Sequence, residues 1–303
     1  YSNVPRLGRK SRLGSKQRER IWPIFLKTRE LLEMRGVYSW PSIFGKVTDY
    51  YKDRDHKPFT HIIVDESQDL GVPELRMLSA IAEDQPGALF FAGDLGQRIF
   101  QEPFSWKSLG VDIRGRSTTL KVNYRTSHQI RETVDKLLPP SVRDVDGIED
   151  DRRNTVSIFN GPVPGLKTFE NFNDEIESVG MWIHEAIDEG IPPEEIGVFV
   201  RSKEELVRAR NAVKTAEQKH VELSDRVEDS VGRVSIGTMH LAKGLEFKAV
   251  VVMACDDEIL PAQGRIETVA DEAELDEVYE TERHLFYVAC TRAREKLLIT
   301  GIK

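Results

Sequence analysis

The stretch His61-Ile-Ile-Val-Asp65-Glu66-Ser67-Gln68 decides the fold that this sequence predicts. Three apolar residues of strand character end in two adjacent carboxylates, and open parallel sheets bind their ligands at this end of their strands. Such a pair suits nucleotide chemistry, because one carboxylate can bind the Mg²⁺ that bridges two phosphates while the next orients or deprotonates a water. The alternative is a strand that runs into a helix cap, since aspartate and serine both cap helices well.

Apolar runs of strand length recur on both sides of this stretch, with segments of helical periodicity between them. Beyond residues 61–64, the predicted strands are residues 88–92, 118–122, 196–200, 234–237, 249–254 and 296–300. The predicted helices are residues 18–34, 73–82, 127–138, 174–189, 203–215 and 276–294. Short strands that alternate with helices of this length are typical of parallel βαβ units. The sequence therefore predicts an α/β fold of parallel sheets flanked by helices, with loops at residues 139–165 and 218–232.

The length and composition of the chain exclude several classes of protein. The chain has 303 residues, 39% of them hydrophobic, which is enough for about two ordinary domains. No apolar run reaches about 18 residues, so we expect no membrane span. The two cysteines, Cys255 and Cys290, lie in apolar surroundings, as the free thiols of a cytoplasmic protein do. A net charge of −8 disfavours a protein that coats nucleic acid by bulk charge alone.

Four further segments carry groups that suit a nucleotide. Gly93-Asp-Leu-Gly-Gln97 follows the second predicted strand, and its short terminal amide can bind a phosphate oxygen without adding charge. Asn123-Tyr124-Arg125 joins an aromatic ring, which suits a base, to a guanidinium, which suits a phosphate. Residues 238–247 read TMHLAKGLEF, and residues 287–294 read YVACTRAR. Arginines on a late helix can neutralise the charge that grows during phosphoryl transfer, although for Arg294 we expect only a surface charge near the helix end.

In this order, the segments DESQD, GDLGQ, NYR, TMHLAKGLEF and YVACTRAR resemble the helicase motifs of the UvrD/Rep-type, superfamily 1 DNA helicases. The resemblance extends from about residue 61 to residue 302. It implies the RecA-like architecture of P-loop NTPases, with ATP and Mg²⁺ as cofactors and ATP hydrolysis as the reaction. It also implies movement in the 3′-to-5′ direction on single-stranded DNA, or on DNA with a single-stranded tail.

The resemblance assigns nucleotide roles to the first two motifs. Asp65 and Glu66 match the Walker B pair, which implies a Mg²⁺ contact for Asp65 and the role of catalytic base for Glu66. Gln68 would then lie beside the γ-phosphate. Gln97 matches the glutamine that couples the γ-phosphate to the DNA site.

The later motifs supply the other nucleotide contacts that the resemblance implies. Tyr124 matches the residue that stacks on the adenine ring. Arg125 and Arg292 match two arginines that reach the γ-phosphate. Gly244 and Glu246 match positions near the phosphate and the ribose hydroxyl.

The resemblance places DNA contacts in two parts of the chain. Thr238 and His240 match a loop close to single-stranded DNA. In this family, aromatic residues that stack on bases follow the glutamine segment, and here Phe100 and Trp106 are the candidates. Each could instead be a core residue, because Trp106 is shifted from the family position and buried aromatic side chains are common.

Two departures from the family pattern limit these expectations. Only about thirty residues separate the strands predicted at 196–200 and 234–237, where these helicases commonly insert a whole subdomain, so we expect a minimal translocase. A Gly-rich loop that ends in Gly-Lys-Ser/Thr is missing, since Gly45-Lys46 is followed by Val47. We expect truncation to explain the missing Walker A loop, and the 303-residue chain alone to lack ATPase activity.

The motifs also predict how the chain divides into domains. Residues 1–57 would be a helical remnant of an insertion subdomain, residues 58–115 a partial first RecA-like domain, and residues 116–303 the second RecA-like domain. A different class stays open, namely a helicase-like module that binds nucleic acid or protein without hydrolysing ATP. A helicase fused to a nuclease is disfavoured, because the sequence offers no cluster of metal ligands for the nuclease.

Overall fold

The computed structural model describes residues 14–99, 104–139, 141–143, 146–147, 149–151, 155–224, 230–269 and 271–303. Its internal packing divides the chain into two compact units. The first unit is Tyr1–Thr118 with Arg143–Asp150, and the second is Thr119–Val142 with Asp151–Lys303. In the part that is described, no helix is long and apolar enough to cross a membrane.

The first unit combines three helices with a small parallel sheet. The helices are α1, Ser15–Met34; α2, Trp40–Tyr51; and α3, Val72–Ile81. The strands are β1, Ile62–Val64, and β2, Leu89–Phe91, which pair in parallel with Ile63 opposite Phe90. The two strands match the predicted ones within one residue at each end, whereas α2 is a helix that the sequence pattern did not predict.

The core of the first unit lies on one face of this sheet. Leu75 of α3 is fully buried and packs with Phe104 and Val111. On the other face, Ile63 and Phe90 are 78% and 60% exposed. Parallel sheets are usually covered on both faces, so this uncovered face is unusual.

Short strands and a short helix precede the main sheet of the second unit in the chain. The strands are β3, Val122–Asn123; β4, Ser141–Arg143; β5, Glu149–Asp151; and β6, Val156–Ser157. β3 pairs in parallel with β6, and α4, His128–Val134, follows β3. β4 and β5 lie where the chain passes between the two units.

A six-stranded parallel sheet forms the centre of the second unit. In spatial order its strands are β7, Gly165–Phe169; β12, Ala293–Ile302; β11, Phe247–Val252; β8, Ile196–Val200; β10, Val234–Thr238; and β9, His220–Glu222. Every residue of β8 and β10 is buried. Central strands of a parallel sheet are covered on both faces, which explains why they appear in the sequence as continuous apolar runs.

Helices cover both faces of this sheet. They are α5, Phe172–Asp188; α6, Leu206–Thr215; α7, Gln263–Ile266; and α8, Glu272–Cys290. The main core cluster joins α5 and α6 to alternate residues of the strands, such as Val198, Ile236 and Val251. α4 and α8 contact β12 and contribute nothing to that cluster, which places them on the opposite face. The predicted α/β class, with a parallel sheet flanked by helices, is therefore confirmed.

The predicted secondary structure differs from the observed one in three segments. The segment predicted as a loop at 218–232 contains β9, and the stretch at 139–165 contains β4, β5 and β6. α8 begins before residue 276, because Asp271 caps it by accepting a hydrogen bond from the Glu274 N–H at 2.9 Å. α8 ends at Cys290, so Arg294 lies on β12 and not near a helix end.

Candidate functional site

A strained turn places the two adjacent carboxylates at the carboxyl end of β1. Asp65 Oδ1 accepts a hydrogen bond from the Glu66 N–H at 2.8 Å. Glu66 itself adopts the left-handed conformation, with φ 50° and ψ 38°. This region is unfavourable for a residue with a β-carbon, and such strain is often found at functional sites. Both side chains are exposed, so they are open to a ligand in solution.

Gln68 connects this turn to the end of the neighbouring strand. It is buried, and its side-chain amide donates a hydrogen bond to the Glu66 carboxylate. Its carbonyl oxygen, Oε1, accepts a hydrogen bond from the Asp94 N–H at 3.0 Å. Glu66 at the end of β1 is thereby held in register with the turn that follows β2.

Asp94 holds the next predicted residue, Gln97, in place. Its Oδ1 accepts from the Gly96 N–H at 2.8 Å, and its Oδ2 accepts from the Gln97 side-chain amide at 2.9 Å. Glu66, Gln68, Asp94 and Gln97 therefore form one hydrogen-bonded chain across the carboxyl ends of β1 and β2. Asp94 was not among the predicted site residues, although aspartate two residues before a glycine is a known signal for this kind of turn.

The carboxylates at the end of β1 fit a Mg²⁺ that arrives with phosphates. Asp65 uses one oxygen for a backbone N–H and exposes the rest of its carboxylate. Mg²⁺ is usually held by one or two carboxylates together with phosphate oxygens and waters. Among the residues described, no group of three or more His, Cys, Asp or Glu side chains could hold a metal by itself.

The two predicted aromatic contacts of the first unit have different outcomes. Phe100 lies outside the described residues. The Trp106 ring packs edge-on against Phe91, with 4.7 Å between the ring centroids, and it borders the core around Leu75. This is the arrangement of the core alternative that the sequence left open for Trp106.

In the second unit, one segment runs from the carboxyl ends of the strands of the main sheet to their amino ends. Thr238 ends β10, and His240 lies in the 3₁₀ turn that follows. Eight residues after Thr238, Glu246 immediately precedes β11, at the amino ends of the strands. Gly244 lies within this segment at φ +79°, where a residue with a β-carbon would be strained. Thr238 and His240, which are predicted to contact DNA, thus lie at one end of a short connection, and Glu246, which is predicted to contact the ribose, lies at the other end.

Glu246 lies between two arginines. Its Oε2 is 3.0 Å from Arg125 Nε, and its Oε1 is 3.4 Å from Arg294 Nε. All three side chains are between 38% and 48% exposed. We call Arg125, Glu246 and Arg294 the Glu246 cluster. It carries a net positive charge at the amino ends of β11 and β12. A net positive charge favours the binding of a phosphate.

The segment that carries Arg125 is held by an asparagine turn. Asn123 Oδ1 accepts hydrogen bonds from the Arg125 N–H at 2.8 Å and from the Thr126 N–H at 3.1 Å. The turn leaves the Tyr124 ring 69% exposed. An exposed ring next to a cationic cluster can stack on a base, which is the role that the resemblance implies for Tyr124.

Arg292 does not belong to the exposed cluster. Only 2% of it is exposed, its Nε donates to the Val288 carbonyl at 3.0 Å, and its Nη1 donates to the Leu245 carbonyl at 3.3 Å. A contact with phosphate would require this side chain to leave those carbonyls. The phosphate role of Arg292 therefore stays a prediction.

His240 lies beside a buried group of charges. Glu282 forms a two-pronged pair with Arg201, with Nε and Nη2 each 2.6 Å from a carboxylate oxygen, and it also pairs with Arg265 at 2.8 Å. Burial and the positive charge of Arg201 lower the pKa of His240, so its imidazole is neutral near pH 7. Thr238 is buried as well. The DNA roles of Thr238 and His240 stay predictions.

Comparison with known proteins finds similarity mainly in the last third of the chain. Residues 211–303 match the family model described as the UvrD-like helicase C-terminal domain. The ATP-dependent DNA helicase UvrD1 of Mycobacterium leprae is 42% identical over 73 residues, which are 24% of this chain and 8% of that protein. The helicase PcrA of Bacillus subtilis is 36% identical over 84 residues, which are 27% of this chain and 10% of that protein.

Other similar proteins extend over more of the chain at lower identity. A probable DNA helicase of Mycoplasma pneumoniae is 22% identical over 255 residues, which are 80% of this chain and 43% of that protein. The C-terminal domain of a possible DNA helicase from Lactobacillus plantarum WCFS1 covers 59% of this chain and 88% of its own, at 21% identity and a TM-score of 0.39. The chain spans less than half of the length of these three curated relatives. By these matches residues 211–303 are similar to the UvrD-like helicase C-terminal domain, and the chain is similar to the UvrD and PcrA DNA helicases.

Proposed function

We propose that this chain is part of an ATP-dependent DNA helicase or translocase that moves in the 3′-to-5′ direction on single-stranded DNA. The observation that carries the proposal is the hydrogen-bonded chain from Glu66 through Gln68 and Asp94 to Gln97. It fixes two of the proposed phosphate-sensing groups relative to each other, as ordered phosphoryl transfer requires. The relationship to UvrD and PcrA helicases supports the same reaction class.

The first unit supplies the proposed groups for metal binding and for water activation. Asp65 would bind Mg²⁺, which neutralises charge on the phosphates when it is bound. Glu66 would orient and deprotonate the attacking water, because its exposed carboxylate is held by Gln68. Gln97, held by Asp94, would contact the γ-phosphate and signal its presence.

The second unit supplies the proposed groups for the base, the ribose and the phosphate charge. Tyr124 would stack on adenine, and Arg125 would bind the γ-phosphate. Glu246 would accept a hydrogen bond from a ribose hydroxyl, and Gly244 would permit close approach of the backbone. Arg292 would act at the phosphate only after it leaves its present carbonyl partners.

The proposal includes binding to DNA, and to single-stranded DNA in particular. The relatives are DNA helicases by name, and single-stranded DNA is our inference for this chain. Thr238, which ends β10, and His240, in the turn that follows, would lie beside the DNA strand. Phe100 would stack on a base, and Trp106 would do so only if it leaves the core around Leu75.

The test is a matched pair of substitutions at the turn after β1. In the natural protein that contains this sequence, Glu66→Gln should reduce DNA-stimulated ATP hydrolysis by at least about a hundredfold, the scale of general base catalysis. It should leave the affinity for Mg²⁺-ATP within about twofold. Glu74→Gln, on α3 of the same unit, is the control and should hydrolyse ATP at the normal rate. Unchanged hydrolysis by Glu66→Gln would contradict the assignment of the base.

A second candidate function is a helicase-like module that binds without hydrolysis. The exposed Glu66 carboxylate and the charged Glu246 cluster favour hydrolysis. A module that does not hydrolyse ATP has no need of a carboxylate held on a strained backbone. We propose that the 303-residue chain alone does not hydrolyse ATP, since its sequence has no Gly-Lys-Ser/Thr loop. ATP hydrolysis by this chain would show that phosphate is held without that lysine.

A further inference from the structure

We propose that Arg294 is a positioning residue of the nucleotide site, which takes over the Glu246 carboxylate when Arg125 turns to a phosphate. The inference rests on the proposed function, because it needs a phosphate that competes for Arg125. It goes beyond the family resemblance, which matches Arg125 and Glu246 but gives no role to Arg294. It is carried by the geometry of the Glu246 cluster and by the irregular start of β12.

Glu246 is shared unequally between its two partners. Arg125 Nε lies 3.0 Å from Oε2, and the two groups form an ion pair. Arg294 Nε lies 3.4 Å from Oε1 and is enclosed by protein. Within the described part of the chain, this Nε has no hydrogen-bond partner. A small rotation of the carboxylate toward Arg294 would satisfy that donor, but the electrostatic attraction of Arg125 opposes it.

The pairing of β12 with β11 shifts register at Arg294 and Glu295. Phe247 pairs with Ala293, but two residues later Ala249 pairs with Lys296, so one extra residue is accommodated in β12. Bulges redirect side chains and are frequent next to active sites. Regular pairing places successive side chains on alternate faces, and the shift of register interrupts this alternation at Arg294, whose side chain lies next to Glu246.

The backbone of Arg294 also fixes the segment that carries Arg125. The Arg294 carbonyl accepts a hydrogen bond from the Ser127 N–H at 2.9 Å. Ser127 lies two residues after Arg125, beyond the turn that Asn123 caps. The same residue therefore anchors the Arg125 segment by its main chain and faces the partner of Arg125 by its side chain. This double contact distinguishes Arg294 from an ordinary surface charge.

The charges explain why a second arginine is needed. A phosphate competes with Glu246 for the Arg125 guanidinium, because both are anions that bind the same donors. If Arg125 leaves, a lone Glu246 carboxylate would repel the incoming phosphate. Arg294 neutralises Glu246 and completes its own missing hydrogen bond at the same time. Glu246 would then stay in place for the ribose.

The test measures hydrogen exchange of the arginine Nε–H groups by ¹⁵N NMR in the 303-residue chain. Arg125→Gln imitates the departure of Arg125 and should slow exchange of the Arg294 Nε–H at least threefold, because Glu246 is then free to bind it. Adding Glu246→Gln to Arg125→Gln should reverse this slowing, because the charged acceptor is then gone. Arg210→Gln is the control, since it removes the similarly exposed Arg210–Glu222 pair of the same unit, and it should leave Arg294 unchanged.

Two results would overturn the inference. One is an Arg294 exchange rate that Arg125→Gln leaves unchanged or increases, while the backbone amide spectrum shows a folded protein. The other is a slowing that persists when Glu246→Gln is added to Arg125→Gln. Addition of Mg²⁺ and a non-hydrolysable ATP analogue to the natural protein that contains this sequence separates the two proposals, because a signal of Arg125 that does not shift would contradict its contact with the γ-phosphate. The variants would still decide whether Arg294 takes over Glu246.

Discussion

Gly93 lies in direct contact with Gln68, at the point where the two strands of the first unit end. A β-carbon on Gly93 would come within 2.6 Å of Gln68 Oε1 and within 2.6 Å of Ser67 Oγ. No real β-carbon approaches other atoms so closely, so the glycine is required by packing. Since Gln68 also binds the Glu66 carboxylate, the absence of a side chain at Gly93 determines where Glu66 lies.

Gly93→Ala should therefore destabilise the first unit. We expect its free energy of unfolding in urea to fall by about 1–3 kcal/mol, as overpacking usually costs. Gly45→Ala is the matched control, because Gly45 lies within α2 and nothing would contact its new β-carbon. That substitution should raise the free energy of unfolding by about 0.5–1 kcal/mol, since alanine is the better helix residue. Equal effects of the two substitutions would contradict the contact with Gln68.

The sequence pattern predicted the central strands well and the edge strands poorly. β8 was predicted with both of its ends correct, because all five residues of Ile196–Val200 are buried and apolar. β7 and β9 lie at the two edges of the main sheet, where one side is open to solvent. β9, His220–Glu222, carries two polar residues among three, so nothing in its composition distinguishes it from a loop.

The candidate site divides in the same way, into residues that local sequence patterns indicate and contacts that depend on how the strands pair. The Asp65–Glu66 pair and Gln97 stand in recognisable local patterns, so the sequence alone indicates them. The link through Gln68 and Asp94 depends on the pairing of β1 with β2, which sequence pattern does not reveal. For Arg294 the sequence predicted only a surface charge near a helix end, because neither the end of α8 at Cys290 nor the irregular pairing of β11 with β12 is visible in the sequence pattern.

Arg208→Met should be strongly destabilising. Arg208 is buried between Glu175 and Asp256, with Nη1 at 2.6 Å from Asp256. Its removal leaves two carboxylates in the interior without a counter-charge, which usually costs about 3–5 kcal/mol. Arg210→Met, on the same helix, breaks only an exposed pair and should cost less than about 1 kcal/mol. Thermal and urea unfolding would measure both, and similar losses would contradict the burial of the Arg208 group.

Trp106→Ala separates the two roles that the sequence left open for Trp106. If Trp106 belongs to the core beside Phe91, as its ring contact indicates, the free energy of unfolding should fall by roughly 3 kcal/mol. Ile63→Ala is the control, because Ile63 is 78% exposed and its truncation should have little effect on stability. A stable Trp106→Ala protein that binds single-stranded DNA more weakly would instead support stacking on bases.

His240 should titrate below its ordinary pKa of 6.5, and its environment gives the sign of the pH effect. Burial and the charges of Arg201 and Arg265 disfavour the protonated imidazole, while Glu282 favours it. Because the unfolded chain binds this proton more readily, the stability that neutral His240 contributes is present above about pH 6.5 and is lost as the pH falls. Glu282→Gln should move the NMR titration midpoint of His240 further down. Glu222→Gln removes a distant exposed carboxylate, so an equal shift in that control would contradict the specific role of Glu282.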